Sequence, residues 1–276
     1  MNTIGKILSN INRQVIYLLV FLVVATPMIL GIKAKVTITE PVKKAYDFID
    51  SLPPGSFILI GIDYGPSTFP EMNPMLYAIL RHAFSKNLKV GILALQNAVN
   101  IPIGAQVLRQ VAKEYHKKYG IDYVNLGYKP GWDAVIVSIG REIRDVFPED
   151  AFGTPLDSLP ITRNIHSYDD IALVIDLASG GTWASWIQFA QARFGVPVII
   201  GVTAVMGPES YPYLQSGQIK GLIAGLKGAA EYETLIHHPY MGVRGMPAQS
   251  GVHLLIILLI LLGNLGYILQ KKRKEV

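Results

Sequence analysis

Two uninterrupted apolar stretches, Val15–Ile32 and Val252–Leu269, stand at opposite ends of the chain, and short apolar runs alternate with amphipathic segments between them. Each terminal stretch holds 18 residues without Asp, Glu, Lys or Arg, a length that crosses a bilayer core of roughly 30 Å as a helix. The second is the stronger signal, an almost pure Leu/Ile run closed by Lys271, Lys272, Arg273 and Lys274. The first contains Pro27 and Gly31, which membrane helices tolerate better than soluble ones do. The pattern therefore predicts an N-terminal segment at 1–14, a span at 15–33, a soluble domain at 35–250, a second span at 251–269 and a basic tail at 270–276.

Within the domain the alternation is regular. Phe57–Asp63, Leu88–Leu95, Asp122–Leu126, Ile171–Leu177 and Pro197–Thr203 read as strands, the first introduced by the turn Pro53-Pro54-Gly55. Helical periodicity falls at Asn73–Asn87, with Pro74 in a first turn, and at Ile103–Tyr119, ended by Gly120. Further helices are predicted at Trp132–Phe147, Trp183–Phe194 and Gly217–Ile236. Met206–Tyr213, with two prolines and two tyrosines, reads as a rigid aromatic loop suited to contact or to closing over a site. Near-continuous Val/Ile/Leu strands separated by helices imply a mainly parallel sheet covered on both faces. The expected fold class is thus α/β, a doubly wound, Rossmann-like three-layer domain flanked by two transmembrane helices. No internal repeat of 20–50 residues and no low-complexity linker divides it.

Charge changes the picture less than the sequence pI near 9.2 suggests. Of 25 Lys and Arg, seven lie outside the domain, leaving 18 inside against 19 of the 20 acids. The basicity belongs to the membrane flanks, where it sets topology and meets lipid headgroups, and nothing argues for nucleic acid. The terminal flanks carry six positive side chains (Lys6, Arg13, Lys271, Lys272, Arg273, Lys274) and the domain-side flanks five (Lys33, Lys35, Lys43, Lys44, Arg244). That small excess favours cytoplasmic termini and an extracytoplasmic domain in the cell membrane, while the fourteen-residue polar lead and the poor cleavage site Gly31-Ile32-Lys33-Ala34 favour an uncleaved signal anchor. The absence of cysteine removes disulfides from the argument.

Candidate chemistry gathers where an open parallel sheet binds ligands, beyond the carboxyl ends of its strands. Every inferred strand ends in a side chain able to hydrogen-bond: Asp63 with Tyr64, Gln96 with Asn97, Asn125, Asp176 with Ser179, and Thr203. Asp176-Leu-Ala-Ser179-Gly180-Gly181-Thr182 is the sharpest segment, because two glycines admit close backbone approach and a helix begins with Thr182 as its cap. It matches neither phosphate-loop pattern, so nucleotide binding has no motif support and the cofactor is left open. Asp63 and Asp176 are candidates for a metal pair or an acid/base couple, although polar residues are also ordinary at strand ends. Nucleophilic catalysis has no motif: there is no cysteine and no G-x-S-x-G, and no histidine has a claim to serve Ser179. Ser216 and Lys220, one helical turn apart, read as an exposed helix face. The histidines at 82, 116, 166, 237, 238 and 253 show no metal-binding spacing.

Gly217, Gly221, Gly225 and Gly228 recur at helical spacing, so a helix through them presents a glycine face. Each interior glycine costs about 1 kcal/mol relative to alanine, and close approach of another backbone would offset it, from the sheet or from a neighbouring subunit. Poverty of catalytic signatures, two anchors and this face together favour a non-catalytic binding or self-assembling scaffold. The expected partners are the lipid bilayer and a homo-oligomer or another membrane protein. The alternative is a membrane-anchored enzyme or small-ligand sensor that uses the crevice lined by Asp63, Gln96, Asn125, Asp176, Ser179, Gly180, Gly181 and Thr203. Transport by this chain alone is disfavoured, since only His253 and Asn264 stand out as strongly polar in the two apolar stretches, and both lie near span ends.

Overall fold

The computed structural model describes residues 12–32 and 35–271, so the flanking Lys6, Lys33, Lys272, Arg273 and Lys274 lie outside the described residues. The chain divides into two units, Val36–Val243 and a terminal unit that pairs the N-terminal 35 residues with Arg244–Val276.

In the larger unit, six parallel strands form one sheet: β1 (Phe57–Asp63), β2 (Lys89–Ala94), β3 (Tyr123–Tyr128), β4 (Leu173–Ala178), β5 (Val198–Val202) and β6 (Gly221–Ala224). Their order is β3-β2-β1-β4-β5-β6. The chain winds outward from β1 to β3, returns to lay β4 beside β1, and winds outward again. Side chains alternate between faces, so Ile58, Ile60 and Ile62 join one core and Phe57 and Leu59 the other. The first core lies under α2 (Glu40–Ser51), α3 (Phe69–Ser85), α4 (Asn100–Glu114) and α8 (Gly225–Leu235). The second lies under α5 (Trp132–Ile139), the irregular segment 140–171, a helical run over 182–194 (α6) and α7 (Gly207–Gln215). This is the doubly wound α/β arrangement expected from the continuous apolar runs.

Several elements differ from the sequence pattern for identifiable reasons. The helix α3 starts at Phe69, with Pro70 in its first turn, and Pro74 lies inside it. The helix α4 stops at Glu114, where His116 takes the left-handed conformation (φ 55°), and Gly120 turns separately ahead of β3. The helix expected at Trp132–Phe147 ends at Ile139 and gives way to a one-turn helix at Ile143–Asp145. Met206–Tyr213 is mostly helix α7, with Pro208 tolerated in the first turn. The run 182–194 contains a π-helical segment at Trp186–Gln191.

The largest correction concerns Gly217–Ile236, which is a turn, a strand and a helix rather than one helix. Gly217 (φ 77°) and Gly225 (φ 62°) adopt left-handed backbone that interrupts any helix there. Gly221 opens β6, and a Cβ on it would lie 2.4 Å from the Ala45 Cα of α2. Gly228 is helical and packs on the backbone of Ile223. The four glycines therefore share no helix face, and the close approach that Gly221 permits is to the same chain.

The terminal unit holds α1 (Arg13–Ile29) and most of α9 (Met241–Lys271). Among the described residues, one helical stretch, Met241–Leu269, is long and apolar enough to cross a membrane, with mean hydropathy 2.4 over its most apolar 18 residues. Its apolar portion exposes Leu254, Ile257, Ile260 and Leu261, a surface that soluble monomers rarely leave to water. The first stretch, expected to span at Val15–Ile32, forms a 17-residue helix of about 26 Å. Leu30 and Gly31 turn out of it, so one candidate span stands where the sequence pattern predicts two.

Candidate functional site

The reversal of winding direction falls between β1 and β4, and the two candidate aspartates stand there. Asp63 is the last residue of β1, and Asp176 lies on β4 in register with Gly61. Both project toward the face covered by α5 and α6, because each shares parity with residues of that core (Leu59 and Val174). Gly61 makes the arrangement possible. A Cβ at that position would sit 2.5 Å from Asp176 Oδ1 and 3.4 Å from Asp63 Oδ2. The two carboxylates thus approach one common point that any larger residue would occupy.

Asp63 and Asp176 are both fully buried. Asp63 Oδ1 accepts the backbone N–H groups of Leu95 (2.8 Å) and Gln96 (2.7 Å), which ties β1 to the loop leaving β2. Its Oδ2 and both oxygens of Asp176 accept no hydrogen bond from the protein. The Thr182 hydroxyl, equally buried, lies beside Asp176 without completing a hydrogen bond. Burial pushes both carboxyls above the usual carboxylate range, and the neighbouring Asp63 charge drives Asp176 further. Asp63 is held back by its two backbone donors, so of the two carboxyls Asp176 is displaced further.

Gln96 and the two glycines complete the local geometry. The Gln96 amide lies across Gly180, so close that a Cβ there would be 2.1 Å from Nε2. Gly181 ends the turn and has nothing within 4 Å of where its Cβ would be. Ser179 is half-buried and donates its backbone N–H to the Asp63 carbonyl (3.0 Å), continuing the β1–β4 ladder. Asp63, Gln96, Asp176, Ser179, Gly180 and Gly181 are therefore neighbours.

The other candidates stand apart. Asn125 lies on the edge strand β3, where its Oδ1 accepts the Gly127 N–H (3.0 Å) beside a bulge in the β2–β3 pairing. Its surroundings are Tyr119, Tyr123, Arg109 and Phe152 rather than the carboxylates. Thr203 is buried at the end of β5, where its carbonyl accepts the Met206 N–H of a one-turn helix. Thr182 belongs to the site as the first residue of α6, behind the capping position that Gly181 takes. Gly61 also escaped the sequence reading, since its role is set by a side chain 115 positions away.

Among the described residues, no group of three or more His, Cys, Asp or Glu comes together as a metal cluster. Compared with models of known protein families, the chain matches none, and no curated protein is significantly similar to it.

Proposed function

We propose that this chain is a membrane-tethered α/β module that binds a small polar ligand at the crevice between β1 and β4. The observation that carries this reading is the set of buried oxygens on Asp63, Asp176 and Thr182 that the protein leaves without hydrogen bonds. A buried polar atom without a partner costs about 1–3 kcal/mol, and such costs persist where the groups are used. Their place at the topological switch point, where open α/β sheets bind ligands, supports the same reading. The tether is α9, which carries an exposed apolar surface of membrane-spanning length.

Native mass spectrometry of the full-length protein released from detergent tests this. A reproducible small adduct in the wild type, lost in Asp63→Asn without a change in assembly, is the expected result. A discrete oligomer without any adduct would return the scaffold reading to first place.

One observation favours partner docking as a second role. Val99, Trp132 and Val205 are exposed on the connections that leave β2, β3 and β5, so all three stand at the crevice end of the sheet. A protein partner seated on that apolar rim would cover the ligand site. Val205→Asp together with Val99→Asp is expected to abolish such an association while ligand binding survives.

A further inference from the structure

Two carboxyl groups stand beside one another in an apolar interior, and among the described residues no cationic side chain pairs with either. Neither Asp63 nor Asp176 pairs with a Lys, Arg or His, although smaller imbalances elsewhere are paired: Glu231 with Lys227, Glu114 with Arg81. The free oxygens converge. Asp176 Oδ1 and Asp63 Oδ2 both lie within 3.4 Å of the Cβ position that Gly61 lacks. The Thr182 hydroxyl is also fully buried, lies beside Asp176 and completes no hydrogen bond of good geometry.

We infer that this cluster is a divalent-cation site of the magnesium class, with Asp63 Oδ2, Asp176 Oδ1 and the Thr182 hydroxyl as its protein ligands. The inference rests on the crevice reading above and names the chemistry by which that crevice holds its ligand. The donors are all hard oxygens, which suit Mg²⁺ or Mn²⁺ and not the soft or nitrogen-preferring metals. Their small number has the same meaning. Mg²⁺ is commonly held by one or two carboxylates and keeps its remaining positions for water and for oxygens of an anionic substrate, whereas Ca²⁺ takes six to eight oxygens from a fuller cage. The two-glycine turn lies between Asp176 and Thr182, and the open space beside Gly181 is the side from which an anionic ligand would complete the shell. Gln96 lies across Gly180 at the edge of this turn.

Mn²⁺ binding to the full-length protein in detergent, read by loss of the free-ion electron paramagnetic resonance signal, tests the proposal. One Mn²⁺ per chain, displaced by Mg²⁺, is expected, with at least a tenfold loss of affinity in Asp63→Asn and in Asp176→Asn. Thr182→Val should weaken binding severalfold while Thr182→Ser retains it, and thermal melts verify that each variant is folded. Failure of the wild type to bind Mn²⁺ up to about 1 mM, the weak end of protein cation sites, would overturn the inference. Binding that persists in both Asn variants would overturn it too, because the ion would then sit elsewhere. An Asp63-dependent adduct in native mass spectrometry without Mn²⁺ binding would sink the cation and spare the crevice; loss of both would sink the crevice as well.

Discussion

Glu231 and Glu233 on α8 are as deeply buried as Asp63 and Asp176, but the two acidic pairs are treated in opposite ways by the chain around them. Glu233 accepts the backbone N–H groups of Tyr240, Gly242 and Val243, each at 2.8 Å, so it caps the first turn of α9. Glu231 accepts the N–H (2.7 Å) and hydroxyl (2.6 Å) of Thr39 ahead of α2, and it pairs with Lys227. One helix thus grips both the entry and the exit of the domain with acids whose hydrogen bonds are made. The switch-point pair has two backbone donors for four oxygens, both on Asp63. Fully partnered buried charge holds a fold together; buried charge left open is a cost that the fold bears for another purpose.

The comparison yields measurable differences, best followed by urea denaturation with tryptophan fluorescence, since Trp183 and Trp186 are buried. Glu233→Ala should have the largest effect, a loss of at least about 3 kcal/mol, because three donors lose their acceptor at once. Glu231→Ala should cost about 2 kcal/mol through the cap at Thr39, with little owed to the exposed Lys227 ammonium. Gly61→Ala should cost about 1–2 kcal/mol by driving a methyl group into Asp176. That cost should shrink in an Asp176→Ala background, and strict additivity would contradict the contact. Asp176→Asn should reverse the sign and stabilise the domain by about 1 kcal/mol, because it removes a buried ionisable group without removing any hydrogen bond from a protein donor. A destabilised Asp176→Asn variant would mean that the two pairs play the same structural part.

The pH dependence, measured with chelator present, sharpens the same contrast. The Asp176 carboxyl is raised in the folded state, so above the ordinary carboxylate range the native protein retains a proton that the unfolded chain has released. Stability then falls as pH rises from about 4 toward the elevated folded value. The Asn variant should flatten that slope.

The apolar runs of β1, β2, β4 and β5 were legible because strands buried on both faces admit few polar residues, and that alone implied the doubly wound class. The four-residue β6 was not legible. Gly217, Gly221, Gly225 and Gly228 mimic a helix face by spacing, yet two of them turn left-handed and one makes room for the Ala45 backbone. Spacing along the chain cannot distinguish a repeated face from separate demands on separate elements.

By itself, the sequence determined the alternation of strands and helices, the long apolar C-terminal helix, and the presence of Asp63 and Asp176 at strand ends, since all of these follow from local pattern. Only the tertiary structure decided that the returning chain lays β4 against β1, which brings the two aspartates to the point that Gly61 leaves open. It also decided that Thr182 is buried beside them, and that the glutamates of α8 are satisfied while these acids are not. Hydrogen-bond partnership and desolvation belong to neighbours in space: Asp63 takes its donors from Leu95 and Gln96 on the next strand's exit and meets Asp176 only across the sheet.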